Sequence, residues 1–283
     1  MAFNIKDRVA KAAQTKDHAT ASGGGEYAPH EKGRPNLRFV GYYELGLHEE
    51  THGKAKGKVQ PKVSLVFELS GPKWQPREVD GVKVPLTMKL DLNLSTNEKA
   101  WFYKIFKAMN AAHGNKYKYM PEMLGLEFRG EIEHSEPKGD NKRVYANLKY
   151  DSIGKAQKYD DDKGEYVAVT VDPPLSPLKG FIWDDADPEM WDDIFIPGEY
   201  PERKNDKGEV THPAKSKNYW QLRIASAKNF KGCPVYDYAE GKIDKTALAA
   251  MQDALGTGDE DSVPDTSGDQ STPERADPLA GVA

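Results

Sequence analysis

From Leu37 onward, apolar residues recur at every second position. "LRFVGYYELG" places Leu37, Phe39, Tyr43 and Leu45 on one face, and "KVSLVFEL" does the same with Val63, Leu65, Phe67 and Leu69. "LTMKLDLNL" adds Leu86, Met88, Leu90, Leu92 and Leu94. Such alternation predicts strands of a sheet with one buried face. At "LSTNEKAWFYKIFKAMN" the period changes. Ser95 and Glu98 fit a capping box, and Trp101, Phe102, Ile105, Phe106 and Met109 form one apolar stripe behind it, which predicts an amphipathic helix. Lys99, Lys104 and Lys107 take its wet side. Alternation then returns in "LEFRGEIEH" (Leu126, Phe128, Ile132) and "VYANLKY" (Val144, Ala146, Leu148, Tyr150). Gly41 and Gly130 interrupt strand patterns and predict bulges or tight bends.

Three strands, one helix and two strands therefore follow one another within residues 37–152. This is the succession of the OB-fold, a five-stranded Greek-key barrel with a helix between its third and fourth strands. The expected fold is mainly β with α: an OB-fold-like β-β-β-α-β-β barrel whose end the helix closes with its apolar stripe.

Flanking segments read differently. Residues 1–36 form an arm and linker; a short helix over 4–13 (Ile5, Val9, Ala12) precedes the Gly-rich "TASGGGEYAPHEKGRP". Residues 153–245 form an α/β extension expected to pack on the barrel. In it "KYDDDKGEYVAVTV" predicts a hairpin turning near Asp162, Lys163 and Gly164. Short helices are expected around Pro188–Phe195 and in "SKNYWQLRIASAKNFKG", with Ser216 as N-cap and Gly232 past the end. Residues 246–283 form an acidic tail, expected to be largely disordered because from about Gly256 it has no apolar period.

Composition narrows the function classes. The lone Cys233 excludes a disulfide within the chain and any Cys-rich zinc site, and favours a reducing, intracellular setting. No apolar run is long enough for a membrane span, and "MAFNIKDRVAKAAQTKDHATASGGG" lacks the apolar segment of a secretory signal. The net charge of −5 hides a gradient. Residues 1–150 carry 25 Lys/Arg against 18 Asp/Glu, residues 151–252 carry 14 against 19, and the last 31 residues carry one against eight. Binding responds to the local field, so a basic front matters more than the average.

Catalytic signatures are thin. The seven histidines make no paired ligand motif, and His48 and His52 fall in a Lys/Gly loop. There is no G-x-S-x-G motif and no P-loop. "WDDADPEMWDD" is the one dense carboxylate cluster of the folded part, but its acids come from a single turn-rich segment, whereas metal sites draw carboxylates from several elements. Asp187 before Pro188 reads better as an N-cap. No catalytic residue, metal ligand or cofactor is expected.

What remains is basic and aromatic. If Leu37 and Phe39 point inward, Arg38 and Tyr42 point outward, as do Lys62, Lys89, Arg129, Arg143, Tyr145 and Lys149 on later strands. The loop "HEETHGKAKGKVQPK" between the first two strands adds Lys54, Lys56 and Lys58, and "SEPKGDNKR" between the last two adds Lys138 and Lys142. In an OB-fold these loops flank the ligand groove. Trp74, in the basic loop "GPKWQPRE", is an expected stacking residue. Single-stranded nucleic acid needs this pairing of cations for phosphates and rings for bases. The tail, as a flexible polyanion, is expected to compete for the groove and to recruit replication partners. It ends "RADPLAGVA", without a terminal acidic-plus-aromatic peptide.

The chain resembles a family of bacteriophage single-stranded DNA-binding proteins. The stretches that carry the likeness are "AFNIKDRVAKAA", "LRFVGYYELG", "LVFELSGPKW", "LNLSTNEKAWFYKIFKAMN", "LKGFIWDDADPEMWDDIFIPGEYPERKNDKG" and "SKNYWQLRIASAKNF", which span most of residues 1–238. The resemblance implies an OB-fold core, ssDNA binding without strong sequence preference, and work in phage replication or recombination inside the host cytoplasm. A virion or assembly protein using the barrel for protein contacts is the rival reading, and a metal-dependent nuclease on Asp184–Asp193 a further one. Whether RNA is also bound, and in what oligomeric state, the sequence leaves open.

Overall fold

The computed structural model describes residues 29–51, 55–79, 81–135, 144–205 and 207–257. In chain order the elements are β1 (Asn36–Glu49), β2 (Val59–Ser70), β3 (Arg77–Val79), β4 (Val82–Val84), β5 (Leu86–Asn93), α1 (Trp101–Ala112), β6 (Glu127–Arg129), β7 (Ile132–His134) and β8 (Ala146–Leu148). Then come β9 (Gln157–Asp160), β10 (Glu165–Ala168), β11 (Lys179–Phe181), α2 (Pro188–Asp193), β12 (Glu199–Tyr200), β13 (Arg203–Lys204), β14 (Val210–His212) and β15 (Lys215–Ser216). α3 (Tyr219–Ala225), α4 (Tyr236–Ala239) and α5 (Lys245–Thr257) close the described chain. The architecture is mixed, mostly strands in several small sheets.

β1 organises it. Along one edge it pairs antiparallel with β2, which pairs in turn with β5. Its other edge is shared: Asn36–Arg38 face β6, and Gly41–Tyr43 take β11 in parallel. β7 and β8 make a separate antiparallel pair, tied back by a bridge between Ile132 and Gly33.

The expected closed barrel does not form: among the described residues no ladder joins β5 to β8. β8 is only three residues long. α1 packs on β5 and on the turn at Tyr150–Ser152 that follows β8, with Trp101 edge-on to Tyr150 at 5.2 Å. The helix buries Phe102, Ile105 and Met109 as expected, whereas Trp101 and Phe106 are half-buried at its flank. It starts at Trp101, later than the capping box predicts. Asn97 accepts the Lys99 amide and Ser95 accepts that of Asn97, so the two side chains close local turns in place of the cap.

A bulge sets the inside and outside of β1. Phe39 faces Phe67, but Gly41 faces Val66, so Val40 is an extra residue. One inserted residue reverses the side chains that follow, up to the second irregularity between Glu44 and Gly46. Hence Tyr42, opposite Leu65, is fully buried in the first core with Leu37, Phe39, Phe67, Leu90 and Ile105. Tyr43, expected beside those residues, lies on the other face with Leu45.

That other face is also buried. A second core gathers Tyr43, Leu45, Phe181, Trp191, Ile194, Ile224 and Phe230, with Tyr43 stacked on Trp220 at 3.8 Å between ring centres. The extension thus shares this core with β1. α2 starts at Pro188 with Asp187 as N-cap, its carboxylate accepting the Met190 amide at 2.7 Å. α3 is shorter than expected; Ser216 accepts the Asn218 amide, and Asn218 stands at the cap position. α5 covers a stretch that the pattern assigns to the tail, and Met251 is buried. The arm helix expected over residues 4–13, and the tail from residue 258, lie outside the described residues.

Candidate nucleic-acid interface

The sheet face expected to carry a strand is occupied by the protein itself. Lys89 is buried; its Nζ donates to the Tyr219 hydroxyl (2.7 Å), lies 2.9 Å from the Asp91 carboxylate and sits over the Tyr219 ring. Burial works against its charge, but Asp91 and Tyr219 outweigh that and hold its pKa above the usual lysine range. Ser64 completes the cluster with a hydrogen bond to Asp91. Arg38 spends its guanidinium on Glu127 (3.0 Å) and on the carbonyls of Gly125, Val171 and Asp172. Opposite Arg38, Glu68 accepts the amides of Leu175 and Ser176. The chain at 171–176 therefore lies across Arg38 and Glu68.

Two expected stacking residues are core residues. Tyr42 donates to Glu44 at 2.8 Å within the first core. Trp74 is 4% exposed, its indole N–H donating to the Glu31 carbonyl; the ring lies against Gly33, where a Cβ would crowd it. Its loop is basic, but the tryptophan turns under it. Lys62 pairs with Glu50 and Lys149 with Glu133 (3.2 Å), both partly exposed. Lys56 and Lys58 are exposed in the turn after β1. Tyr145 is half-buried, its amide donating to Ser135. Lys54, Lys138, Lys142 and Arg143 lie outside the described residues.

The acids of the 183–193 segment serve separate ends. Asp187 caps α2, Asp192 bonds Tyr238 and Lys242, and Asp193 pairs with Lys179. Among the described residues, no group of three potential ligands could hold a metal ion.

Basic side chains do converge at the far end of β1. Arg34, Arg129 and Lys158 line a cavity of about 400 Å³ with Asn36, Ser70, Trp74 and Val169. Among the described residues no acidic side chain lines it. Arg129 builds the place: its guanidinium donates to the carbonyls of Gln157 (3.1 Å) and Arg34 (3.2 Å), fixing the foot of the β9–β10 hairpin to the start of β1. Burial, and then the neighbouring Arg34 charge, push the Arg129 pKa below the usual arginine range. Arg34 is paired with Glu131 at 3.2 Å but is largely exposed. Lys158 makes no ion pair among the described residues. The hairpin that supplies Lys158 and Ala168 to the wall also presents Tyr159 and Tyr166, directly opposite each other, 52% and 62% exposed, with ring centres 5.3 Å apart.

Of the expected residues, then, Arg129 and Trp74 line this cavity. Arg34, Lys158, Tyr159 and Tyr166 were missed. The signal for the tyrosines was present: a turn at Asp162–Gly164 sets the register that brings them face to face. Arg34 sat in a stretch read as linker. No protein-family model matches this chain, and no curated protein or solved structure matches it.

Proposed function

We propose that this protein is a non-catalytic single-stranded DNA-binding protein, and that its strand-binding surface is centred on the Arg34–Arg129–Lys158 cavity and the Tyr159–Tyr166 hairpin. One observation carries the reading: three cations converge on a cavity that no acid lines among the described residues, beside a hairpin that holds two tyrosine rings in solvent. Cations that track phosphates and rings that accept bases are the two requirements for sequence-tolerant binding of a single strand. The cross-strand contact of the two rings adds at most about 1 kcal/mol to the hairpin, and it leaves more than half of each ring open to a base.

The strand pairings support an OB-fold-like module over residues 33–154. β1 pairs with both β2 and the β6–β7 segment, β2 with β5, and β7 with β8. These pairings agree with a five-stranded Greek-key barrel except for its closing ladder, between β5 and β8, which is absent among the described residues. The likeness to phage ssDNA-binding proteins supplies the setting, replication or recombination in the host cytoplasm. Among the described residues no helix is long and apolar enough to cross a membrane. The acidic tail is the proposed competitor for the basic surface and the proposed contact for replication proteins.

The test is anisotropy of labelled oligo-dT, oligo-U and duplex DNA across a salt series. The reading expects oligo-dT to bind more tightly than duplex, with affinity falling as salt rises. Equal failure of all three probes at low salt would sink it and favour the assembly-protein alternative.

A further inference from the structure

The cavity does more than attract phosphates from a passing strand. Among the described residues Arg129 is a cation without a carboxylate partner: its hydrogen bonds there go to neutral carbonyl oxygens, and its buried Nε has no partner. It lies beside a second guanidinium, Arg34, whose pairing carboxylate Glu131 is at 3.2 Å, and beside Lys158, which makes no ion pair among the described residues. Like charges held together repel, and an anion among them removes that repulsion. The remaining wall is of another kind. Asn36, Ser70 and Thr170 offer polar groups, while Trp74, Pro72, Ala168 and Val169 offer an apolar side with one aromatic ring. The volume falls in the range of small-molecule sites, roughly 300–1,000 Å³. A simple anion site would need only the cations.

From this juxtaposition we propose that the Arg34–Arg129–Lys158 cavity is a pocket for one nucleotide unit, the phosphate on the two guanidiniums and the lysine, the base against Ala168 and Val169 beside the small exposed part of Trp74. The inference rests on the single-strand reading and sharpens it. One nucleotide of the bound strand is lifted out of the run and lodged in the cavity, while its neighbours pass over Tyr159 and Tyr166. Single-strand binding through stacked rings alone requires no such pocket.

The probe is deoxythymidine monophosphate, set against thymidine and inorganic phosphate, with the full chain. Direct binding is read from tryptophan fluorescence and competition from release of labelled oligo-dT. Deoxythymidine monophosphate is expected to change the fluorescence and to displace the oligonucleotide, with thymidine and phosphate each much weaker. Trp74→Phe should remove most of the fluorescence change. Arg129→Lys should weaken the mononucleotide about tenfold, the order of one charge-assisted hydrogen bond. Because Arg129 also holds two carbonyls, Lys158→Glu serves as a second variant: it lies on an exposed strand and should lower mononucleotide affinity without lowering the melting temperature.

Phosphate equal to the mononucleotide, mole for mole, would overturn the pocket in favour of a plain anion site. Oligonucleotide binding with no response to the mononucleotide would overturn it too, and leave the single-strand reading standing. A mononucleotide that binds while oligo-dT does not would keep the pocket and retire the strand.

Discussion

Tyr42 and Tyr43 are neighbours in sequence and belong to different cores. The Tyr42 hydroxyl meets Glu44 beneath the β1–β2–β5 sheet, whereas the Tyr43 ring stacks on Trp220 above it. Glu44 collects three donors, from Tyr42 (2.8 Å), Tyr119 (2.7 Å) and the Trp183 amide (2.8 Å), and so clasps the extension to the first core. The sheet is a shared wall between two hydrophobic layers, which leaves no open face for a ligand at its centre.

Tyr43→Ala should therefore cost as much stability as a core truncation. The ring is 4% exposed, and large aromatic-to-Ala changes in cores cost roughly 3–5 kcal/mol. Urea unfolding followed by tryptophan fluorescence measures it. A loss below about 1 kcal/mol would mean that the extension does not depend on this stack, contrary to its central place in the second core.

Lys89 offers a contrast between structure and binding. Lys89→Met removes the cation held by Asp91 and Tyr219. Breaking a buried pair costs about 3–5 kcal/mol, and Asp91 keeps some solvent, so the lower end is expected. The salt dependence of ssDNA affinity should not change, because this lysine reaches no phosphate. A flatter salt slope in a stable variant would return Lys89 to the binding surface.

Why was so much of the sheet legible and so little of the site? The alternation in β2 and β5 is unbroken, and Val63, Leu65, Phe67, Met88 and Leu90 sit where a period of two puts them. In β1 the pattern was read straight through the Val40 bulge, which exchanged Tyr42 and Tyr43. Gly41 marked the irregularity, but a glycine does not say which residue is extra. The polar positions Ser64, Glu68 and Lys89 looked like a wet face because an antiparallel sheet commonly has one. They are polar for a different reason, since each meets a polar partner, two of them from the extension and one from Asp91. Local periodicity cannot announce a partner more than a hundred residues away, nor the contacts of Arg129 with Arg34 and Gln157, which are 95 and 28 residues distant.

His48 makes stability depend on pH in a predictable direction. Its Nε2 lies 2.9 Å from the Leu45 carbonyl, which needs the proton there, and Nδ1 then turns its lone pair toward Arg223 at 3.5 Å. Burial, then the Arg223 charge, with Lys62 adding to it and Asp91 opposing, lower its pKa to about 3. An unfolded histidine titrates near 6.5. Between these values the unfolded chain binds a proton that the native one refuses, so His48 subtracts stability as pH falls from about 6.5 toward 3. The slope approaches about 1.4 kcal/mol per pH unit. Comparing urea midpoints of the parent and His48→Gln between pH 7 and 4.5 isolates this share. The variant should show the shallower decline, and identical declines would mean that His48 is protonated in the fold.

The most direct test of the proposed surface is the tyrosine pair on the β9–β10 hairpin. Tyr159 and Tyr166 touch each other and are more than half exposed, so truncating either should leave stability within about 0.5 kcal/mol of the parent. Stacking of a base on an aromatic side chain is worth about 1–3 kcal/mol, so each Ala variant should bind oligo-dT about 5- to 150-fold more weakly. The salt slope should stay as it was, because no cation has been removed. Lys158→Ala should do the reverse: a modest loss of affinity with a slope shallower by about 0.7, the counterion released per single-strand phosphate contact. Since the two rings share a contact, the double tyrosine variant should lose less than the sum of the singles. Equilibrium anisotropy at four salt concentrations separates the two kinds of loss. If the tyrosine variants bind like the parent while Lys158→Ala changes the slope, the strand is held by phosphates alone and the hairpin's rings serve something else.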